Sequence, residues 1–286
     1  MAATQKEKTT MIETATAPSA DLRSHFGLSE IPFTREISVE SRWHSPHFDE
    51  PLADLVRTID QRLSAVLIAP AGTGKTALLR ALRARLPEAR YKVHYVKVTS
   101  LSKRDICREI AVAAGLAPAG SYPMLVRRLQ ERFEAVHGDD GLRPVLLIDE
   151  AHDMRPEVLA ILRILTNFDM DSRLVLSLVL AGQGALAQIL QRDELEAVSR
   201  RMAHFATLRL LSRTETRKYM EHRLTIAGCR SFPFDEPSTD AVFEISRGNL
   251  RAIDQICRKS LELAALSGHA VVDPTTVAAA RQRLMP

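Results

Sequence analysis

Residues 69–76 read Ala69-Pro70-Ala71-Gly72-Thr73-Gly74-Lys75-Thr76, the composition of a loop that wraps a polyphosphate. Glycines let successive backbone N–H groups turn inward at phosphate oxygens, and the helix expected to follow adds partial positive charge at its start. In such a loop the lysine meets the β and γ phosphates and the Ser/Thr hydroxyl ligates magnesium. The expected contacts to ATP are Pro70, Ala71, Gly72, Thr73, Gly74, Lys75, Thr76 and Ala77, with Mg2+ on Thr76. One position departs from the pattern G-x-x-x-x-G-K-[ST], because Ala69 stands where its first glycine belongs. A chance glycine-rich turn between strand and helix has a similar composition, so the surrounding elements must decide.

The second chemical cluster is Asp149-Glu150, at the end of the apolar run VLLID some seventy residues downstream. A carboxylate at the carboxyl end of a strand beside a phosphate loop is where P-loop enzymes hold magnesium. Asp149 takes that role, and Glu150 is placed to orient and deprotonate an attacking water. An acidic cap on the next helix is the other use of such a pair.

The elements that must position these groups are visible as an alternation. Short apolar runs at 65–69, 93–98, 145–149, 174–181 and 204–210 are separated by helical patterns at Lys75–Leu86, Ser102–Gly115, Tyr122–His137 and Arg155–Asn167. Runs apolar on both faces imply a five-stranded parallel sheet covered by helices, an α/β fold of the P-loop type. A helix is expected from Pro51 to Leu63, with Pro51 in its first turn. After Leu211 only helical periodicity remains. The expected division is a flexible tail over 1–20, a segment over 21–50 draped on the body, a nucleotide-binding core over 51–211 and a small helical lid of three to four helices over 212–286.

Composition sets outer bounds. The 286 residues are 45% hydrophobic and 26% charged, which excludes a disordered or disulfide-stapled chain. With 39 Lys+Arg against 35 Asp+Glu the net charge is only +4, so any nucleic-acid binding must come from local patches. Cys107, Cys229 and Cys257 are widely spaced, without the C-x-x-C pairs of a zinc or redox site, which fits a reducing cytosol. The first twenty residues contain no apolar stretch typical of a secretory signal, and the uncharged run Leu174–Gln191 is too interrupted for a membrane span. A cytoplasmic location with no membrane contact is expected.

The chain resembles the AAA+ ATPases, and within them the ExeA-like branch that includes transposon ATPases of the TnsC and TniB kind. The resemblance is carried by HFGLSEIPF at 25–33, APAGTGKTALLRAL at 69–82, LLIDEAH at 146–152, LVLAGQ at 178–183, SRRM at 199–202 and SRGNLRAIDQIC at 246–257. It implies that Gln183 is a sensor of the γ-phosphate or attacking water, although a turn residue between two glycines is the plainer use of that position. It also implies that Arg201, or its neighbour Arg200, is an arginine finger acting on a neighbour's nucleotide, and that Arg251 touches the γ-phosphate from the lid. A finger and a lid arginine together imply a homo-oligomer, ring or filament, with nucleotide between subunits. The segment containing Ile31, Pro32 and Phe33 resembles one that lines an adenine pocket, and core packing serves these residues equally well.

In TnsC-like proteins the loop corresponding to Thr99–Asp105 and the turn before the next helix face DNA. This resemblance makes Lys103, Arg104 and Ser121 the candidate contacts to the phosphates of double-stranded DNA, without sequence specificity. Ser102 with Asp105 equally suits a helix start carrying exposed cations. The implied function is an ATP-dependent helper that assembles on target DNA and regulates a transposase. The competing roles are an ExeA-like secretion ATPase, or a switch that binds ATP and barely hydrolyses it. The sequence reaches Pro286 directly after the lid pattern, so no membrane-anchored secretion arm is expected.

Overall fold

The computed structural model describes residues 21–98 and 101–284. The tail expected over 1–20 and the loop residues Thr99 and Ser100 lie outside the described residues. The elements in chain order are α1 (Leu22–Phe26), α2 (Pro46–Asp60), β1 (Ser64–Ile68), α3 (Lys75–Arg85), β2 (Tyr91–Lys97), α4 (Lys103–Ala113), α5 (Tyr122–Gly138) and β3 (Arg143–Asp149). Then follow α6 (Pro156–Leu159), α7 (Ile161–Leu165), β4 (Ser177–Gly182), α8 (Gly184–Leu190), α9 (Glu196–Ser199) and β5 (Met202–Thr207). The chain continues with α10 (Arg213–Ile226), α11 (Glu236–Ser246), α12 (Leu250–Leu266) and α13 (Pro274–Leu284).

The five strands form one parallel sheet in the order β2-β3-β4-β1-β5. Every residue of β4 and nearly every residue of β3 is buried, as expected of strands covered on both faces. One apolar cluster fills the space under α4 to α8, with Phe133, Leu146, Ile148, Leu178 and Leu180 at its centre. A second lies under α2 and α3, around Leu55, Ile59, Leu67, Leu79 and Leu147. Alternate residues of β3 and β4 feed opposite clusters, so both faces of the sheet depend on the register that places Asp149 at the end of β3.

The local boundaries differ from expectation where two signals compete. Helix α2 begins at Pro46, one turn before Pro51, which sits inside the helix instead of in its first turn. Both prolines can open a helix, and the earlier start is favoured because it buries His47 and Phe48. The single helix expected over Arg155–Asn167 is two short ones meeting at Ala160, preceded by a 3-10 turn at Ala151–Asp153. The fourth strand starts three residues after Leu174, which is 55% exposed. The fifth runs Met202–Thr207, ending before Leu210.

Helices α10 to α13 share a third cluster, with Met220, Val242, Ile253, Leu261 and Val277 fully buried. Among the described residues no helix is long and apolar enough to cross a membrane. Helix α10 opens with a capping box: Ser212 Oγ accepts from the Glu215 N–H at 3.3 Å, and Glu215 Oε2 accepts from the Ser212 N–H at 2.8 Å. Arg209 donates to both Glu215 oxygens at 2.7 Å and holds that carboxyl down at about 2. Ser212→Ala is expected to lower stability by about 1 kcal/mol, measured by denaturant unfolding.

Candidate nucleotide site

The phosphate loop leaves β1, which lies between β4 and β5, at the carboxyl edge of the sheet. Its first residue explains the departure from the glycine pattern: Ala69 is buried, donates its N–H to Gly182 O at 2.9 Å, and has no positive φ, so a Cβ fits there. Gly72 and Gly74 stand at φ 79° and 94°, a region where side chains are strained, and Gly74 is the N-cap of α3. Thr73 is buried and ties the turn through its hydroxyl to Pro70 O at 2.8 Å. Pro70, Ala71 and Thr76 are exposed, and Ala77 is half-buried.

Lys75, 7% exposed, is held between two carboxylates: its Nζ lies 2.6 Å from Asp149 Oδ1 and 2.7 Å from Glu150 Oε2. Thr76 Oγ1 donates to Asp149 Oδ2 at 2.9 Å, and Tyr95 OH from β2 donates to the same oxygen at 3.2 Å. Burial pushes the Asp149 carboxyl up, but the Lys75 ammonium and the Thr76 hydroxyl outweigh it and hold the carboxyl below the usual range. Burial and the facing Asp149 push the Tyr95 phenol up to about 12, so it remains a donor. Glu150 turns the chain with φ 58°, and its Oε2 is buried without a hydrogen-bond partner, in ion-pair contact with Lys75 outside hydrogen-bond geometry.

These donors fit a nucleotide phosphate with a divalent cation. The loop carries a glycine cradle, a buried ammonium, and a hydroxyl and carboxylate on adjoining elements. Among the described residues no three His, Cys, Asp or Glu converge into a self-contained metal site, so Mg2+ here would draw further oxygens from phosphate and water.

Gln183 is the N-cap residue of α8 but makes no side-chain cap bond; its Nε2 lies 2.7 Å from His152 Nε2. From the helical group, Asn249 caps α12 and donates its Nδ2 to Ala71 O at 2.6 Å. A side chain at Gly72 would collide with that asparagine. Arg251 is exposed and donates its backbone N–H to Gly72 O at 3.1 Å, which brings it beside the loop. The structure thus gathers Lys75, Thr76, Asp149, Glu150, Gln183 and Arg251 around one loop, and adds Tyr95, His152 and Asn249. The last two lie within the LLIDEAH and SRGNLRAIDQIC segments, but neither motif shows which way their side chains reach.

The remaining candidates lie elsewhere. Arg201 donates to Asp171 Oδ1 at 2.6 Å and to Ala197 O, and with Arg163 it lines a groove of about 410 Å3. Arg200 pairs with Glu196 at 2.5 Å and is 77% exposed. Phe33 packs in the helical cluster beneath Arg223, while Ile31 and Pro32 line a cleft of about 270 Å3 beside α10. Phe48 is the aromatic ring near Gly74, 3.8 Å from where a Cβ would stand. Lys103 and Arg104 open α4, capped by Ser102, whose Oγ accepts from the Asp105 N–H at 3.3 Å. Arg104 reaches Gly120 O at 3.0 Å, next to Ser121, the N-cap of α5. These three therefore share one edge, where two helix starts meet.

Fold and site define the class as an α/β P-loop NTPase fold, five parallel strands flanked by helices. Residues 57–190 match the family model described as AAA domain. The chain is 32% identical over 257 residues to General secretion pathway protein A of Aeromonas hydrophila, across 86% of this chain and 46% of that protein. It thus spans about half of that relative's length. Cdc6p from Pyrobaculum aerophilum superposes with a TM-score of 0.70 at 18% identity, over 88% of this chain and 70% of that one. Aeropyrum pernix ORC1, solved in complex with DNA, gives 0.66 at 17% identity, over 88% and 68%. The Thermotoga maritima RuvB Holliday junction branch migration motor gives 0.59 at 17% identity, over 88% and 73%. At these identities the structural likeness establishes the fold.

Proposed function

We propose that this chain is an ATPase that binds double-stranded DNA as a homo-oligomer and regulates a transposase. The observation that carries the ATPase reading is Lys75 clamped between Asp149 and Glu150, with Thr76 on the far oxygen of Asp149. In this reading the backbone from Pro70 to Ala77 cradles the phosphates, Lys75 neutralises the β and γ oxygens, and Thr76 with Asp149 would hold Mg2+. When bound, that cation neutralises charge on the phosphates. Glu150 takes a proton from the water whose oxygen attacks the γ-phosphorus, while the bond from that phosphorus to the β,γ-bridging oxygen breaks and ADP leaves. Gln183 orients that water, Arg251 meets the γ-phosphate from the helical lid over 212–286, and Arg201 or Arg200 reaches a neighbour's nucleotide. Ile31, Pro32 and Phe33 remain candidates for the base side.

For DNA the support is local. Lys103 and Arg104 are exposed cations at a helix start, and Ser121 begins a second helix whose side-chain cap bond is missing. Helix starts offer backbone N–H groups to phosphate, and an oligomer repeats each contact along the duplex. The complex of Aeropyrum pernix ORC1 with DNA, on a similar fold, agrees with this reading. Fluorescence anisotropy with unrelated duplexes, ATP and a salt series tests it. The Lys103→Ala, Arg104→Ala double variant is expected to weaken binding equally on all sequences and to reduce the salt slope by about 2. Absence of binding at low salt with ATP or a slowly hydrolysed analogue would sink the proposal.

The second reading, a secretion-associated ATPase, is favoured by the 32% identity to General secretion pathway protein A. It predicts turnover indifferent to duplex DNA, which the same samples measure.

A further inference from the structure

We infer that His152 is a positioning residue of the hydrolytic site, the link through which Gln183 at the end of β4 orients Glu150 at the end of β3. The inference rests on the reading of Glu150 as general base.

The inferred link also places the ring's protons. The Gln183 amide nitrogen stands 2.7 Å from His152 Nε2, and an amide nitrogen only donates, so Nε2 accepts. A neutral imidazole with Nε2 as acceptor carries its proton on Nδ1. His152 Nδ1 is buried, without a hydrogen-bond partner, and faces Glu150 Oε2 at 3.5 Å. That oxygen also lacks a hydrogen-bond partner. A donor and an acceptor, both buried and unsatisfied, thus face each other across a gap that a shift of roughly half an ångström closes. Leaving both unmade is costly, which favours the closed arrangement.

The other neighbour of Oε2 is the Lys75 ammonium at 2.7 Å. Lys75 belongs to the phosphate loop, and phosphate oxygens compete for its charge. His152 is the neighbour with no such second duty; its remaining anionic contact is Asp153 Oδ1, 3.7 Å from Nε2. Holding one carboxylate oxygen on Nδ1–H fixes the plane of the carboxylate and aims the other oxygen at water. The chain Gln183 to His152 to Glu150 couples the two strand ends that meet at the loop, and Gln183 acts by setting the tautomer.

The experiment compares His152→Ala, His152→Asn and His152→Gln in the full chain, beside Glu150→Gln. An Asn amide nitrogen stands where Nδ1 stands, and a Gln amide nitrogen where Nε2 stands. His152→Ala is expected to lower kcat roughly 10- to 100-fold, the loss typical of a misplaced catalytic group, with the Kd for ATP unchanged. The Asn variant recovers most of the rate, and the Gln variant does not. Nitrogen-15 spectra of the parent protein should place the His152 proton on Nδ1, a readout independent of turnover. Equal rates for the Asn and Gln variants, or a ring proton on Nε2, overturn the inference. Parent kcat in His152→Ala with a slow Glu150→Gln overturns it while sparing the general base. A fast Glu150→Gln removes the general-base reading and this inference together. Thermal midpoints of the Asn and Gln variants show that their difference in rate is not a difference in folding.

Discussion

Lys75→Ala should lose ATP binding and, independently, stability at neutral pH. Truncating one partner of a close buried charge contact costs roughly 2–5 kcal/mol, so the Kd for ATP should rise by a factor of at least about thirty. Calorimetric titration with ATP reads this directly. The stability effect follows from what remains: Asp149, 1% exposed, faces Glu150 without the ammonium that lies 2.6 Å and 2.7 Å from them. In the parent, Asp149 is held below the usual carboxylate range. Its contribution is therefore complete above the unfolded value and is lost only as pH falls through the depressed folded one. In the variant the lowering from Lys75 is gone and burial acts in the opposite direction, so protonation relieves the site. The thermal midpoint of Lys75→Ala should lie well below the parent at pH 7, and the difference should narrow as the pH approaches about 4. A parent-like Kd refutes the phosphate role, and a difference in midpoint that ignores pH refutes the electrostatic account.

What could be read from the sequence was what depends on neighbours in the chain. The apolar runs ending at Ile68, Ile148 and Gly182 specify buried parallel strands because each is apolar on both faces. Parallel strands in turn place their carboxyl ends, with Lys75, Asp149 and Gln183, along one edge of the sheet. The boundary at Pro46 was obscured because Pro51 carries the same local signal, and the choice between them was made by the burial of His47 and Phe48 against the rest of the chain. The break at Ala160 was obscured because 3.6-residue periodicity continues through it. Asn249 is the clearest case. Its capping of α12 is a local property, whereas its bond to Ala71 O joins positions 178 residues apart and exists only once the helical group meets the loop. Phe33 and Phe48 are similar cases: Phe33, in the HFGLSEIPF segment, is packed beneath Arg223 in the helical cluster, and Phe48, which lies before the helix expected at Pro51, is the ring beside Gly74.

Glu150→Gln separates binding from hydrolysis. The substitution preserves the volume of the side chain and one acceptor oxygen, and removes the negative charge and the basic site. Lys75 then has Asp149 as its only carboxylate partner, so its charge is more available to phosphate and the Kd for ATP should be unchanged or lower. The proton of the attacking water loses its acceptor, and a positioned general base contributes roughly 10²- to 10⁴-fold. Single-turnover phosphate release should therefore slow by that factor while bound ATP accumulates. The left-handed backbone at Glu150, φ 58°, is a conformation that a glutamine tolerates as a glutamate does, so the fold should survive and the thermal midpoint should stay near the parent's. The decisive contrast is with Asp149→Asn, which weakens the partner of both Lys75 and Thr76 and should impair binding as well as turnover. If Glu150→Gln turns ATP over at the parent rate, the carboxylate that follows β3 is a helix-entry residue and the water is activated elsewhere. If it traps ATP and the trapped protein remains on duplex DNA when the parent falls off, hydrolysis is the step that ends assembly.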